Sequence, residues 1–394
     1  MRMLSLKELD LNDKRVLMRV DFNVPIKEGG IADDTRIRAS LPTIEYVIEQ
    51  GGKLILMSHL GRPKGKKDES LSLKPVAQRL GELLKREVKF SHCCVGEETE
   101  QIVKNMRKGD VLLLENLRFH AEEEANDPEY AKKLASFGDV YVNDAFGTAH
   151  RAHASTEGVA HYFEVKAPGF LMEKELNYLS NTLESPNRPF VAILGGAKLS
   201  DKIPVIENLI TKVDKLLLGG GMVFTFFKVK GYEIGNSIFE EDKLSLVKEL
   251  LDKGKEKMFL PSDIVVGDKF EASAARKEVD VRSIPSGWMG LDIGPDTIKK
   301  YKDEISGAKT IVWNGPMGVF EFDPFSNGTR GIATALAEET AKGACTIIGG
   351  GDTISAIKKF GFEHKITHIS TGGGASLQLL AGKKLPGVEA LKVA

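Results

Sequence analysis

The chain has 394 residues, of which 42% are hydrophobic and 28% charged, and its formal net charge is −1 at pH 7. This length exceeds what one core of ordinary size accommodates, so we expect two domains. The near-zero charge gives no general attraction for nucleic acid or an anionic membrane surface, and no apolar run approaches the ~20 residues that span a bilayer, so neither is expected as a partner.

The N-terminal stretch MRMLSLKELDLNDK is amphipathic and lacks the apolar centre of a secretory signal. The chain has three cysteines, and the adjacent pair Cys93 and Cys94 is poorly placed to form a disulfide. These features predict a cytoplasmic protein in a reducing compartment.

Four apolar runs predict strands in the first half of the chain: KRVLMRVD (14–21), KLILMSH (53–59), DVLLLEN (110–116) and DVYVNDAF (139–146). Their nearly continuous apolar character is typical of strands that are covered on both faces. Helix-like segments separate the runs. In SLPTIEYVIEQGG, Ser40 is predicted to cap the helix and Gly51 to end it.

Polar and basic residues follow these four strands, at the edge where parallel sheets bind ligands. They are Asp21 and Asn23, His59 and Arg62, Arg118, and Asn143 with Asp144, and the nearby segments DDTRIR and HRAH add Arg36 and Arg151. The fork of donors on arginine matches phosphate and carboxylate oxygens, although any single arginine could equally form a surface ion pair. Together they predict a site for a small, multiply charged acid. His59, His150 and His153 lack the companion cysteines or carboxylates that would indicate a metal site.

The segment GFLMEKELNYLSNTL (169–183) predicts a helix that joins two halves, because Ser185, Pro186, Asn187 and Pro189 break the periodicity after it. We therefore expect an N-terminal domain over residues 1–170, an interdomain helix and linker over 171–188, and a C-terminal domain over 189–376.

Six more runs predict strands in the second half: FVAILGG (190–196), KLLLGGG (215–221), SDIVVGD (262–268), KTIVWNG (309–315), CTIIGGG (345–351) and THISTGGG (367–374). Strands that alternate with helices indicate an α/β protein with parallel sheets. Glycines end several of these strands, where they form either tight turns or a backbone surface for phosphate. In STGGGAS the glycines precede a predicted helix, whose first N–H groups would face an anion.

Charged residues accompany these glycines. Asp352 in GGGDT is placed where a carboxylate could hold Mg²⁺ on nucleotide phosphates. Lys198 and Lys202 in GGAKLSDK are predicted to lie four residues apart at a helix start, either as a solvated face or as phosphate ligands. The chain lacks the Walker A, protein-kinase, G-x-G-x-x-G and G-x-S-x-G patterns, which disfavours those enzyme classes.

Eight motifs resemble those of the phosphoglycerate kinase family, in the family's order: RVDFNVP (19–25), SHLGRPKG (58–65), LLLENLRF (112–119), VNDAFGTAHRAHAS (142–155), GGAKLSDK (195–202), WNGPMGVFE (313–321), GGGDT (349–353) and STGGGAS (370–376). The resemblance implies an α/β fold of two doubly wound, Rossmann-like domains with parallel sheets and a hinge helix between them. Residues 377–394 are expected to pack back on the N-terminal domain.

The resemblance also implies a function: reversible phosphoryl transfer from 1,3-bisphosphoglycerate to Mg-ADP, giving 3-phosphoglycerate and ATP. The enzyme would be a glycolytic monomer that closes its domains on its substrates, with Mg²⁺ as the cofactor. A two-domain acid-binding protein without catalysis and a nicotinamide dehydrogenase are the alternatives. An export signal would favour the first, and a strand followed by G-x-G-x-x-G would favour the second.

The resemblance assigns residues to two sites. The acid site comprises Asp21, Phe22, Asn23, Arg36, His59, Leu60, Gly61, Arg62, Arg118 and Arg151. The nucleotide site comprises Lys198, Lys202, Gly220, Gly290, Asn314, Glu321, Gly350, Gly351, Asp352 and Thr353. Asp352 would hold the metal, Glu321 would bind the ribose hydroxyls, and the catalytic groups would be Arg36, Lys198, Gly373 and Gly374.

Overall fold

A computed structural model describes residues 2–27 and 30–393. The chain divides into two compact units. The first unit holds the described residues up to Leu176 together with those from Lys384 onward, and the second unit is Asn177–Lys383.

The first unit is built on a six-stranded parallel sheet. Its strands, with one short hairpin, are β1 (Arg15–Arg19), β2 (Ile26–Lys27), β3 (Gly30–Ile31), β4 (Lys53–Met57), β5 (Val88–Ser91), β6 (Val111–Leu114), β7 (Val140–Asn143) and β8 (Lys166–Pro168). The order in the sheet is β5–β6–β4–β1–β7–β8, and β2 pairs with β3. Every pairing in the large sheet is parallel, so the carboxyl ends of its strands meet at one edge.

Helices cover both faces of this sheet. They are α1 (Thr35–Glu49), α2 (Lys74–Leu84), α3 (Glu97–Lys104), α4 (Ala121–Glu124) and α5 (Pro128–Ala135), and α6 (Phe170–Glu184) begins in this unit and ends in the other. Val16 and Met18 of β1 pack in one apolar cluster with residues of α1, whereas Leu17 packs in a second cluster with residues of α5. Burial on both faces explains why β1 reads as a continuous apolar run.

The prediction that Ser40 caps the first helix is wrong. Helix α1 begins five residues earlier, at Thr35, and includes Pro42. A proline inside a helix removes one backbone hydrogen bond, and here the buried apolar face formed by Ile37, Ile44 and Val47 outweighs that loss. Arg36 therefore lies in the first turn of a helix rather than in a loop.

The second unit contains a six-stranded parallel sheet and a smaller antiparallel one. Its strands are β9 (Phe190–Leu194), β10 (Lys215–Leu218), β11 (Glu233–Ile234), β12 (Met258–Phe259), β13 (Asp263–Gly267), β14 (Arg276–Asp280), β15 (Ser283–Ile284), β16 (Met289–Ile293), β17 (Thr310–Asn314), β18 (Cys345–Gly349) and β19 (His368–Ile369). The parallel sheet has the order β12–β10–β9–β17–β18–β19, and β11 pairs with β15. The run SDIVVGD, expected in a parallel sheet, forms β13 and pairs antiparallel with β14 and β16.

The helices of the second unit are α7 (Ile203–Leu209), α8 (Val223–Val229), α9 (Leu244–Lys253), α10 (Pro295–Ile305), α11 (Asn327–Ala341), α12 (Gly351–Lys359) and α13 (Gly374–Leu380). A last helix, α14 (Pro386–Glu389), belongs to the first unit, where Gly387 N donates to Ala149 O at 2.9 Å. The fold is thus the predicted α/β class with two doubly wound parallel sheets. In the part of the chain that the structure describes, no helix is long and apolar enough to cross a membrane.

Candidate functional site

In the first unit, a chain of hydrogen bonds links five of the residues predicted to bind the acid. Arg36 Nη1 donates to Asp21 Oδ2 at 2.5 Å, and Asn23 N donates to Asp21 Oδ1 at 3.2 Å. Gly61 connects the next two, because its N–H donates to Asn23 Oδ1 and its carbonyl accepts from Arg118 Nη1, both at 2.9 Å. Residues that follow three different strands, and one from α1, are therefore held together at the carboxyl edge of the sheet.

The same edge concentrates positive charge that is only partly compensated. Arg118 is 4% exposed, and burial lowers its pKa. The charge of Glu124 opposes this effect, and the charges of Arg19 and Arg151 add smaller contributions that lower the pKa further. Burial, followed by the charges of Arg118 and Arg19, lowers the pKa of His153 to about 4. Among the described residues, Arg118 Nε and His153 Nδ1 are buried and have no hydrogen-bond partner, although Arg118 Nε lies 3.5 Å from Glu124 Oε1 and His153 Nδ1 lies 3.9 Å from Glu123 Oε1. Such a pocket favours an anion, which would relieve the repulsion between the arginines and accept a hydrogen bond from a donor that lacks one.

Four further residues of the predicted acid site lie outside this hydrogen-bonded chain, and they differ in burial. Phe22 and Leu60 are buried, and their backbone N–H groups donate to Ser58 Oγ at 2.9 Å and Asn116 Oδ1 at 3.1 Å. Their contribution is therefore to shape the loops. Arg151 Nε contacts His150 Nε2 at 3.2 Å. Arg62 is exposed and forms no hydrogen bond or ion pair with a described residue, which leaves its guanidinium available to a ligand.

Asn143 and Asp144 were expected among the ligand-facing residues, and the structure assigns their side chains to the fold instead. Both are fully buried. Asp144 Oδ1 accepts the backbone N–H groups of Leu171 at 2.9 Å and Met172 at 3.1 Å, at the start of α6. Asn143 Oδ1 accepts from Ala145 N at 3.0 Å. These two side chains therefore accept hydrogen bonds from backbone N–H groups just after β7 and at the start of α6.

Sequence reasoning missed a buried polar network next to this edge. It consists of Arg19, the last residue of β1, with His59, Ser155 and Glu123, and all four side chains are at most 3% exposed. The available signal was an arginine inside an otherwise apolar run, because a charged residue is almost never fully buried unless it is paired.

In the second unit, a cavity of about 250 Å³ opens beside the glycine-rich strand ends. Four residues of the predicted nucleotide site line it: Gly220, Gly290, Glu321 and Asp352. The other walls are largely apolar, with Phe224, Ile238, Phe270, Met289, Leu291, Met317 and Val319. A Cβ at Gly290 would collide with the Phe224 ring, so the close packing of this wall requires glycine there. A largely apolar cavity that is also lined by three carboxylates, Asp292, Glu321 and Asp352, has the character of a small-molecule pocket.

Other residues of the predicted nucleotide site contact one another at the ends of β17 and β18. Lys202 Nζ donates to Asn314 Oδ1. Thr353 is buried, and its Oγ1 accepts from Gly315 N at 2.7 Å, so its hydroxyl is already engaged by the protein. Gly350 lies against the Asn314 amide. Gly351 and Asp352 form the first turn of α12, where the helix dipole favours an anion.

Lys198 and Lys202 were predicted to lie at a helix start, and the structure places them just before one. Helix α7 begins at Ile203, so both lysines lie in the turn that precedes it, with Lys202 at the N-cap position. Lys198 is exposed, whereas Lys202 is half-buried. The two glycines predicted to be catalytic lie at the start of α13, with Gly373 at the N-cap and Gly374 as the first helical residue.

Asp352 is the residue predicted to hold Mg²⁺, and the described part of the chain places few other metal ligands around it. Among the described residues no three His, Cys, Asp or Glu side chains are arranged to hold a metal ion by themselves. Mg²⁺ in kinases is commonly held by one or two carboxylates together with the phosphates of the nucleotide. A single exposed carboxylate that lines the cavity at a helix N-terminus fits that mode. Asp352 can therefore hold a Mg²⁺ ion that arrives with a nucleotide.

Comparison with known proteins extends over both units. The family model described as phosphoglycerate kinase matches residues 6–383. A phosphoglycerate kinase of Gloeothece citriformis is 58% identical over 391 residues, which is 98% of each chain. A cytosolic phosphoglycerate kinase of Nicotiana tabacum is 59% identical over 391 residues, 98% of this chain and 97% of the relative. The solved structure of phosphoglycerate kinase from Coxiella burnetii has a TM-score of 0.91 at 41% identity and covers 99% of both chains.

Proposed function

Because the chain belongs to the phosphoglycerate kinase family and is a kinase, we propose that it transfers a phosphoryl group reversibly from 1,3-bisphosphoglycerate to Mg-ADP, giving 3-phosphoglycerate and ATP. In the structure, the observation that best supports this proposal is the hydrogen-bonded chain from Arg36 to Arg118, in which the buried Arg118 Nε forms no hydrogen bond. We assign the acid to the first unit and the nucleotide to the second. We also propose that the enzyme is monomeric and cytosolic and acts in glycolysis. The cytosolic relative from tobacco supports the proposed compartment.

The proposed roles follow from the position of each group. The non-transferred phosphate of the acid would bind Arg62, Arg118 and Arg151. The apolar cavity would accept the base of the nucleotide, and Glu321 the ribose hydroxyls. Lys202 with Asn314, Gly350, Gly351 and Thr353 would lie at the phosphates. Bound to Asp352, Mg²⁺ would neutralise phosphate charge.

In this reaction no residue has to act as a general base. The attacking carboxylate titrates near ~4, and the phosphate oxygens of ADP are also ionised at pH 7, so neither nucleophile must lose a proton. The barrier lies in bringing anions together and in holding charge on the transferring oxygens. Arg36, Lys198 and the N–H groups at Gly373 and Gly374 are suited to that task. The proposal also includes closure of the domains, since direct transfer requires the two substrates to meet without water.

A coupled assay tests the proposed function. Purified protein is mixed with 1,3-bisphosphoglycerate and ADP, and ATP formation is followed with and without EDTA. We expect turnover that EDTA abolishes. An acid-binding protein would bind 3-phosphoglycerate without forming ATP, and a dehydrogenase would instead change the absorbance of a nicotinamide cofactor.

Replacing Arg151 by Ala is expected to raise KM for 3-phosphoglycerate by ~10–100-fold and to leave nucleotide affinity nearly unchanged. The reason is that a hydrogen bond to a charged partner contributes ~1.5–3 kcal/mol. Steady-state kinetics with each substrate varied in turn will measure the effect. Arg107→Ala, also in the first unit, is the matched control, and an unchanged KM in Arg151→Ala would remove Arg151 from the acid site.

ADP binding is expected to take up a proton at pH 8.5. Burial lowers the pKa of Lys202 to about 8, against the opposing charges of Asp201 and Asp352, so much of this amine is neutral at that pH. Nearby phosphates favour the charged form, so they raise the pKa, and affinity should fall as the pH rises above ~8. Calorimetry in two buffers of different ionisation enthalpy will report the uptake. If ADP binding to the Lys202→Met variant takes up the same number of protons, a group other than Lys202 is responsible.

A further inference from the structure

Arg19 is fully buried at the end of β1, and its guanidinium is divided among three acceptors. Its Nε donates to Ser155 Oγ at 2.8 Å, and its Nη1 donates to the carbonyl of Val20. Its Nη2 lies 3.1 Å from His59 Nδ1. The guanidinium is planar and its N–H groups point in fixed directions, so it can hold partners on two sides at the same time.

The contact between Arg19 and His59 fixes the position of the histidine proton. An arginine side chain carries only donors and does not lose its proton in proteins. His59 Nδ1 must therefore be the acceptor. Burial, and next to it the charge of Arg19, hold the pKa of His59 well below its ordinary value, so the ring is neutral at pH 7. In a neutral ring with an unprotonated Nδ1, the proton is on Nε2.

We propose that Arg19 is a positioning residue for the acid site, which holds His59 as the tautomer with its proton on Nε2 so that this N–H donates to the anionic acid. The hydrogen bond of the His59 ring to a described residue is made at Nδ1, so Nε2 is the atom left to a ligand. The identity of that ligand rests on the proposed function, whereas the tautomer does not.

Glu123 anchors Arg19 through Ser155. Both oxygens of the fully buried Glu123 accept hydrogen bonds, from Ser155 N at 2.9 Å and from Ser155 Oγ at 2.6 Å. The Ser155 hydroxyl thus accepts from Arg19 and donates to Glu123, and it joins a buried cation to a buried anion. This arrangement compensates the charge of Arg19 without a direct ion pair, and it fixes the guanidinium opposite His59.

The tautomer has a consequence for binding. A neutral donor adds a hydrogen bond to the acid without adding another charge to a cluster whose arginines already repel one another. The opposite tautomer would place a lone pair of Nε2 against an anionic oxygen. Arg19 therefore contributes to affinity through His59 rather than by its own contact with the acid.

Long-range ¹H–¹⁵N correlation spectra of the full chain, labelled with ¹⁵N-histidine, test the proposal. His59→Gln identifies the signals of His59. At pH 7 we expect Nδ1 to show the shift of an unprotonated nitrogen and Nε2 that of a protonated one. A proton on Nδ1, or on both nitrogens, would overturn the proposal.

Arg19→Lys tests the cause. Lysine keeps the charge but cannot hold Ser155 and His59 in the same geometry, so we expect a mixture of His59 tautomers. Only the fraction of His59 that carries its proton on Nε2 can donate to the acid, so KM for 3-phosphoglycerate should rise by the inverse of that fraction, ~2–10-fold for a mixture, with little change in kcat. Should Arg19→Lys fail to fold, Ser155→Ala loosens the same guanidinium and should change the spectrum in the same direction.

Arg15→Lys is the matched control, because Arg15 lies at the other end of β1 and pairs with Asp139 at 2.6 Å. Its His59 spectrum should equal that of the unaltered chain. The proposal is overturned if neither Arg19→Lys nor Ser155→Ala changes the tautomer, or if Arg15→Lys changes it equally. Failure of the proposed function has a different signature, since the unaltered chain would then form no ATP whatever the spectra show.

Discussion

Replacing Asp352 by Asn is expected to lower kcat/KM for Mg-ADP by at least ~100-fold, since even outer partners of metal ligands are commonly worth ~10–100-fold. Calorimetry should show a more specific effect. The substitution removes the proposed metal ligand, so Mg-ADP affinity should fall. It also removes a negative charge from the cavity, so the affinity for ADP without metal should stay the same or rise. Affinity for 3-phosphoglycerate should not change.

Asp201→Asn is the matched control for Asp352. Both carboxylates act on Lys202, so either substitution removes one negative charge beside that amine. In Asp201→Asn the ratio of ADP affinities with and without Mg²⁺ should equal that of the unaltered chain. Normal Mg-ADP affinity together with normal kcat in Asp352→Asn would show that Asp352 does not bind the metal.

The parallel sheets could be predicted from the sequence because their central strands are buried on both faces. β4 and β17, for example, are continuous apolar runs with neighbours on either side. β5 was missed, because this strand lies at the edge of the sheet beside β6 and is mostly half-buried, so its short sequence includes the polar residues Lys89 and Ser91. The antiparallel sheet around β13 was also missed. Its partner β14 is largely exposed, and the local pattern contains no information about strand direction.

The sequence predicts those residues of the candidate site that directly follow apolar strands, and it does not predict how their side chains are used. Arg36, Asp21 and Arg118 follow or face apolar runs, so their polar character is visible in the sequence. Whether a polar side chain faces a ligand or serves the backbone depends on neighbours distant in sequence. Asp144 shows this, because its carboxylate is used by the backbone of α6, 27 residues away.

Arg36→Ala is expected to lower kcat by ~10³-fold or more, in the range known for arginines that stabilise phosphoryl-transfer transition states. Arg36 Nη1 donates to Asp21 Oδ2 at 2.5 Å. When Arg36 binds the acid in the ground state, it must give up this ion pair, so the net gain in binding free energy is small. In the proposed transition state the charge on the transferring oxygens is greatest, so the interaction of the Arg36 guanidinium with them is strongest there. Interactions that strengthen in the transition state change kcat when they are removed.

Asp21 complicates the interpretation of this variant and also provides its control. Without Arg36, the nearly buried Asp21 carboxylate is unpaired and repels an anionic acid, so Arg36→Ala should also show a modest rise in the Kd for 3-phosphoglycerate. The double variant Asp21→Asn/Arg36→Ala should recover that affinity and leave kcat low. Arg38→Ala, two residues further along α1 and paired with Asp34 at 2.9 Å, controls for general disturbance of the helix.

Arg36→Lys separates charge from geometry. Lysine restores a positive charge but cannot donate two parallel hydrogen bonds, so only part of the lost kcat should return. Steady-state kinetics in both directions, with equilibrium titration of 3-phosphoglycerate, will distinguish the effects. If Arg36→Ala raises KM while kcat stays within about tenfold of the unaltered value, Arg36 is a binding residue, because removing uniform binding changes KM alone. The transition-state charge would then need another cation, and the exposed Lys198, in the turn before α7, would be the next to replace.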